Sequence, residues 1–219
     1  MTACPFGEAW DEVFARGGFD LAAESPRVSG LLRGAGLSGR GALLDLGCGL
    51  GRHLREREGL GPVVGLDSSS RALARAKQMP GVSCVRGLMT ALPFAAGAFS
   101  AVLAWRSIYL QSMTDIRRTA GEIRRVLAPG GRLVCSVRTR DNALARHAEK
   151  TGRRLEEGTW ELVAHGFCVT YHFFTRQEVL SVFKDFDIHQ LSGMELAHTA
   201  ITRGLPGENR FWVFSAQKP

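Results

Sequence analysis

Eight consecutive residues limit what this chain can become: Leu44-Asp45-Leu46-Gly47-Cys48-Gly49-Leu50-Gly51. The apolar run Ala42–Leu46 reads as a buried strand that ends in three alternate glycines. Alternate glycines suit a place where the backbone turns tightly and a ligand approaches the main chain. The spacing is GxGxG, so the third glycine comes one residue too early for the GxGxxG dinucleotide fingerprint. Asp45 sits two residues before the first glycine, at the strand end. Leu50–Arg57 reads as the helix that follows. A strand, a glycine turn and a helix in that order open a β-α-β unit, which predicts an α/β fold on a mostly parallel sheet.

The rest of the chain keeps that rhythm. Val63–Leu66 is the second strand expected, closed by Asp67. Ser68, Ser69 and Ser70 offer N-caps for a helix to about Gln78, which Pro80-Gly81 terminates. Val82–Val85 predicts a third strand, and Phe99–Trp105 a fourth that is apolar throughout and therefore central. Ile116, Ala120, Ile123, Val126 and Leu127 recur at helical spacing over Asp115–Leu127. Pro129-Gly130-Gly131 forms a turn before a fifth strand over Arg132–Val137. Thr175 with Glu178 forms a capping box for a helix over Thr175–Phe183. Phe186–Leu191 and Arg210–Ala216 complete the pattern as alternating strands. A helical lead-in (residues 1–39, with Trp10, Phe14 and Phe19) and an insertion (residues 139–170) lie outside this core. Ligands of open α/β sheets bind at the carboxyl ends of the strands, so both segments are expected over that edge.

Composition removes several alternatives. The chain has 219 residues, 45% hydrophobic and 22% charged, which is globular rather than disordered or fibrous. That length predicts one domain, residues 1–219, able to bury a core without disulfides or metal. No apolar run approaches the ~20 residues of a spanning helix, and residues 1–10 do not read as a secretory leader. Five widely spaced cysteines with no CxxC pair suggest reduced thiols in a cytoplasm. The net charge of +7 hints at nucleic acid. Only four of the 28 basic residues are lysine, and the arginines are scattered, the pattern of a solvated surface.

Asp67, 20 residues after Gly47, stands where a carboxylate accepts hydrogen bonds from a ribose diol; the plainer alternative is a helix cap. With the glycine turn, it resembles the class I S-adenosylmethionine (SAM)-dependent methyltransferases. The resemblance continues through Val82–Pro93 (VSCVRGLMTALP), Phe99–Trp105, Glu122–Leu133 (EIRRVLAPGGRL), Tyr171–Val179 (YHFFTRQEV) with Phe186–Leu191, and Arg210–Ala216 (RFWVFSA). It covers about residues 40–217 and is similar to a bacterial small-molecule branch. It implies a Rossmann-like fold: a seven-stranded, mostly parallel sheet with a C-terminal antiparallel strand and helices on both faces.

The roles implied by this resemblance are specific. Asp45 would orient the turn and face the methionyl amine of SAM. Gly47, Cys48, Gly49 and Gly51 would bring backbone to the cofactor. Asp67 would bind the ribose, Ser68 would line the adenine side, and Leu88 and Met89 would pack on the adenine. Trp105 and Arg106 would lie beside the sulfonium and the acceptor. Two positions depart from the family pattern. Leu88 replaces an acidic residue that would hydrogen-bond the adenine amino group, and Ser100 replaces an aspartate common at the start of the fourth strand.

The acceptor is harder to read, because an activated methyl donor asks mainly for positioning and needs a base only for a protonated acceptor. Arg106 suits an anionic acceptor, and Tyr109 and His172 are the candidate proton acceptors. Tyr171, Trp160 and His165 stand nearby in the pattern, with packing as the alternative for the aromatics and solvation for the loop histidines. His53 reads as a surface histidine of the first helix. Cys48 reads as a small side chain at a crowded turn, and Cys135 as core.

The expected function is methyl transfer from SAM to a small molecule by in-line displacement, with S-adenosylhomocysteine as product and no metal. Nucleic-acid methylation is the second reading. It lacks the Asn/Asp-Pro-Pro-aromatic tetrapeptide after the fourth strand, where the chain reads Ala104-Trp105-Arg106-Ser107, and it lacks a Pro-Cys nucleophile. A non-catalytic SAM-binding protein is the third. Membrane association is not expected, and oligomeric state is not encoded in any motif.

Overall fold

The computed structural model describes residues 6–15, 28, 30–32, 41–55, 61–79, 82–164, 167–198 and 202–219. Its centre is a seven-stranded sheet built from β1 (Leu43–Leu46), β2 (Val63–Asp67), β3 (Ser83–Arg86), β4 (Phe99–Trp105), β5 (Leu127–Arg138), β9 (Asp187–Glu195) and β10 (Arg210–Gln217). The spatial order is β3-β2-β1-β4-β5-β10-β9. The pairs from β3 to β5 are parallel, and β10 runs antiparallel to both β5 and β9. The order reverses at β1, whose neighbours are β2 and β4. That reversal opens a crevice at the carboxyl ends of these strands.

Burial explains why β1 and β4 are central. All four residues of β1 are buried, Asp45 among them. β4 buries every residue except half-exposed Ser100. Each fully buried leucine or valine there contributes about 1.5–3 kcal/mol relative to its exposed state. A strand covered on both faces reads as a continuous apolar run, which is why the sequence locates these two so cleanly.

The helices follow their caps. α1 covers Phe6–Ala15. α2 (Ser70–Ala76) has Ser69 as N-cap, whose hydroxyl accepts from the Ala72 N–H. α3 (Met113–Val126) has Ser112 as N-cap and begins two residues before the expected start. α5 (Arg176–Val182) has the expected capping box between Thr175 and Glu178. After the glycine turn the expected helix is instead a single 3-10 turn, Arg52–Arg55, and residues 56–60 lie outside the described residues. The fifth strand begins earlier than the pattern implied, because the Pro-Gly-Gly segment lies within β5; β4 and β5 shift register between Phe99 and Ala101.

The insertion has structure of its own. α4 (Ala143–Thr151) is followed by a three-stranded antiparallel sheet of β6 (Arg153–Glu156), β7 (Thr159–Ala164) and β8 (Phe167–His172). The sequence pattern did not announce this sheet. β6 is exposed throughout and lacks the alternation that marks a half-buried strand. Among the described residues no helix is long and apolar enough to cross a membrane.

Candidate active site

The glycine turn is stitched to the end of β2 by backbone. Gly47 N–H and Cys48 N–H both donate to the Leu66 carbonyl, at 2.7 and 3.0 Å. Gly49 N–H donates to Asp67 Oδ2 at 2.8 Å, and Ser69 N–H to Oδ1 at 2.9 Å. Gly47 has φ +77°, and a Cβ there would lie 2.5 Å from Ser107 Cβ. Ser107 cannot retreat, because its hydroxyl donates to the Leu46 carbonyl at 2.7 Å. Gly47 is therefore required by both conformation and close approach.

A cleft open to solvent lies over this turn. Gly47, Cys48, Gly49, Asp67, Ser68, Leu88, Met89, Trp105 and Arg106 line it, so most of the residues anticipated for the cofactor meet in one place. Asp67 is 9% exposed, and the backbone N–H groups of Gly49, Ser69 and Ser68 use only part of its acceptor capacity. Burial, acting first, raises its carboxyl above the ordinary range, against the lowering pull of the Ser69, Gly49 and Ser68 N–H groups. It thus anchors the turn and still presents oxygen to the cleft. Leu88 is 48% exposed, an apolar surface held by a bridge to Ala91.

Several residues fall elsewhere than the motif implied. Gly51 does not line the cleft. Its side-chain direction is blocked by Met79, Ala76 and Leu54, so its role there is packing against α2. Asp45 is buried beneath the turn with His53 Nδ1 4.0 Å from its Oδ2. His53 is therefore no surface histidine: the 3-10 turn directs it inward, into the cleft wall. Burial, then the charges of Arg52 and Arg106, bring its pKa to about 3, so the ring is neutral. Cys48 lines the cleft, and its thiol is pushed well up by a hydrogen bond with Cys84, burial and the nearby Asp45 and Asp67 carboxylates. A thiol held protonated is a poor nucleophile.

His172, a candidate proton acceptor, lies outside the cleft lining. It is fully buried, with Nδ1 2.7 Å from Thr159 Oγ1 and Nε2 3.9 Å from Glu178 Oε1, and its ring meets Phe174 edge-on at 4.5 Å. Burial foremost lowers its pKa to about 4. These contacts tie the small sheet to α5. Tyr109 is also buried and stands behind the cleft wall, stacked on Tyr171 at 6.4 Å. His165 lies outside the described residues.

Sequence reasoning also left several lining residues without a site role. Trp10 and Phe14 of α1 line the cleft, with Arg52, Leu50, Gly87, Ser107 and Leu110. Asp11 fixes α1 in place. Its carboxylate accepts from Ser69 Oγ at 2.6 Å, Ser70 Oγ at 2.8 Å and Arg71 N–H at 3.0 Å. Burial opposes the charge of Asp11, but these donors outweigh it and hold the carboxyl below its ordinary value. The signal was present as an acidic residue between two aromatics, but its partner serines lie 58 and 59 residues away.

A mostly parallel sheet that reverses at β1, with a glycine turn and an acidic residue ending β2, defines the class of Rossmann-like α/β proteins. Residues 43–131 match the family model described as a methyltransferase domain. Over 201 residues the chain is 29% identical to a dTDP-4-amino-2,3,4,6-tetradeoxy-D-glucose N,N-dimethyltransferase from Saccharopolyspora spinosa, covering 81% of this chain and 79% of that protein. It is 39% identical over 103 residues to a demethylmenaquinone methyltransferase from Thermus thermophilus, a match spanning 42% of this chain and 44% of the relative. A solved SAM-dependent methyltransferase from Methanosarcina mazei shares the fold with a TM-score of 0.72 at 22% identity, over 90% of this chain and 98% of that one. The chain is thus similar to methyltransferases in sequence over residues 43–131 and shares the fold of a solved SAM-dependent methyltransferase.

Proposed function

We propose that the protein transfers a methyl group from SAM to a small-molecule acceptor. The observation that carries this is the cleft at the carboxyl ends of β1 to β4. There the glycine turn clears space for a ligand while Asp67, Ser68, Leu88 and Met89 converge on it. The residues fit the cofactor: a Cβ at Gly47 would clash with the turn's support, and Asp67 keeps acceptor capacity for a ribose diol. In this reading Asp67 holds the ribose, Leu88 and Met89 pack the adenine, and Asp45 lies beneath the methionyl end. Trp10 and Phe14, on the helix held by Asp11, line the cleft and would shield part of bound SAM from water. Bound there, SAM supplies an activated methyl group, passed in line to the acceptor with S-adenosylhomocysteine as product.

The protein's own contribution is then position and desolvation rather than acid-base chemistry. His53 lines the cleft as a neutral ring, and His172 lies buried behind it. A single domain with the lead-in and the insertion framing the acceptor side is part of this reading, as are the absence of a metal requirement and a cytoplasmic location. Calorimetric titration with S-adenosylhomocysteine and with NAD tests it. Binding of S-adenosylhomocysteine alone is expected; NAD binding without it would sink the proposal. Transfer of labelled methyl to a panel of phenols, amines, thiols and carboxylates separates an enzyme from a non-catalytic SAM-binding protein.

A further inference from the structure

Two arginines share one aromatic ring beside the cleft. Arg106 directly follows β4 and lines the cleft, its guanidinium carbon 5.0 Å from the centre of the Phe211 ring. Arg138 ends β5, 4.8 Å from that same centre and 5.3 Å from the centre of Tyr109. Neither forms an ion pair among the described residues. Arg138 is 2% exposed and is held by two neutral oxygens, Asn209 Oδ1 at 2.7 Å and Asn142 Oδ1 at 3.1 Å. Arg106 is half-buried; it donates one N–H to the Ala197 carbonyl at 2.8 Å and shares a side-chain hydrogen bond with Tyr109. The Nε atoms of both arginines and the Tyr171 hydroxyl are buried with no hydrogen-bond partner in the protein.

Charge without a counter-charge is expensive to bury. Burying Arg138 without a counter-charge is costly, and each unmet buried donor of the pair adds to that cost. Ring faces and amide oxygens recover part of this. The backbone also bears strain here. Arg106 is the only non-glycine residue with positive φ among the described residues, at +58°, and its N–H is pinned to Ser136 Oγ at 2.9 Å. Strain and uncompensated charge at one cleft position indicate a built site rather than packing. Burial first, then the charges of Arg138 and Arg52, lower the Arg106 guanidinium to about 10 against the opposing pull of Tyr109. It therefore stays charged at neutral pH.

We propose that the methyl acceptor carries an oxyanion, a carboxylate or a phosphate, received by Arg106 with Arg138 adding a second positive charge behind the Phe211 ring. This rests on the methyltransferase reading above. The two acidic residues of the cofactor end do not cancel this charge. Asp67 is engaged by Gly49 and Ser69, and Asp45 lies beneath the turn beside His53. The cleft is thus acidic where a ribose and an amine would sit and basic beside Trp105. A guanidinium fork binds a carboxylate or phosphate through paired N–H donors, which would fix the acceptor's orientation as well as its charge.

The test uses the whole protein loaded with S-adenosylhomocysteine, titrated with benzoate, benzamide and phenyl phosphate. It is paired with methyl-transfer assays on 4-hydroxybenzoate and 3-aminobenzoate against their amides. The acids are expected to bind, or to turn over, at least tenfold better than the amides, and preference between benzoate and phenyl phosphate separates the two oxyanions. Arg106→Gln should erase that preference by a tenfold rise in KM or Kd for the acid, with S-adenosylhomocysteine affinity changed less than threefold. Arg106→Lys, which keeps the charge and loses the fork, should fall between. Equal treatment of acids and amides by the wild-type protein overturns the proposal. So does a tenfold loss of S-adenosylhomocysteine affinity in Arg106→Gln, which would assign Arg106 to the cofactor's carboxylate. Failure of the wild-type protein to bind S-adenosylhomocysteine overturns the methyltransferase reading itself, a separate result.

Discussion

The two ends of the cleft are built by different means. At the glycine turn the supports are short-range and mostly backbone: Gly47, Cys48 and Gly49 N–H groups bind the end of the adjacent strand. At the Arg106 end they are long-range and mostly side chain. Arg106 reaches Ala197, and Arg138 reaches Asn209, which in turn donates to the Leu196 and Ala197 carbonyls. The first arrangement depends on a few residues in fixed spacing. The second depends on the sheet being complete out to β10. One end can therefore stay constant while the other is rebuilt for a new acceptor, a division of labour suited to a fold that hosts many activities.

Substitutions can break or sharpen this contrast. The largest effect is expected from Asp67→Ala, which removes the support of Gly49 and the oxygens facing the cleft. Two lost charge-assisted hydrogen bonds, about 3 kcal/mol together, imply at least a hundredfold weaker binding of S-adenosylhomocysteine by calorimetry. Gly47→Ala should follow, with about 2 kcal/mol of lost stability from strained φ and the clash with Ser107, read as a fall in Tm of roughly 4–8 °C. Asp11→Ala should weaken cofactor binding about tenfold while leaving Tm nearly unchanged, because it frees α1 from the α2 N-terminus without opening the sheet core. An equal loss of Tm would show that α1 belongs to the core rather than to the cleft. Leu88→Asp should have the smallest effect, tightening binding a few-fold if a carboxylate there meets the adenine amino group.

A pH series separates structural from site histidines. His172 is neutral in the folded protein with a pKa near 4, against about 6.5 when unfolded. The unfolded chain therefore binds the extra proton first as pH falls. The stability that the neutral ring contributes is complete above pH 6.5 and is lost progressively between 6.5 and 4. Wild-type Tm should fall across that window. His172→Gln should lower Tm at neutral pH and flatten the slope. A slope unchanged in the variant would assign it to His53, which titrates lower still.

What was legible in the sequence follows from range. The strand ending in Gly47, the position of Asp67 and the Thr175–Glu178 box are local patterns, and each appears in the structure at the expected residues. The inward turn of His53 was not legible, because Leu50–Arg57 carries too few apolar residues to separate a helix from a single 3-10 turn. Arg138 was indistinguishable from the scattered surface arginines; its burial depends on Asn209, 71 residues later. The small sheet was hidden for a similar reason, since Arg153–Glu156 is strand only through pairing with Thr159–Glu161.

β10 lies between β5 and β9, although it follows β9 in the chain. During synthesis β9 emerges with no partner to pair with, and its backbone donors and acceptors stay open until β10 has been made and has slotted between it and β5. Phe211, the ring under Arg106 and Arg138, arrives on that same strand. The basic end of the cleft is thus assembled last, after the glycine turn has every strand it needs. A nascent or partly unfolded chain would keep the β1 to β4 edge while exposing β9 as a sticky margin, and chaperone binding or aggregation should concentrate there.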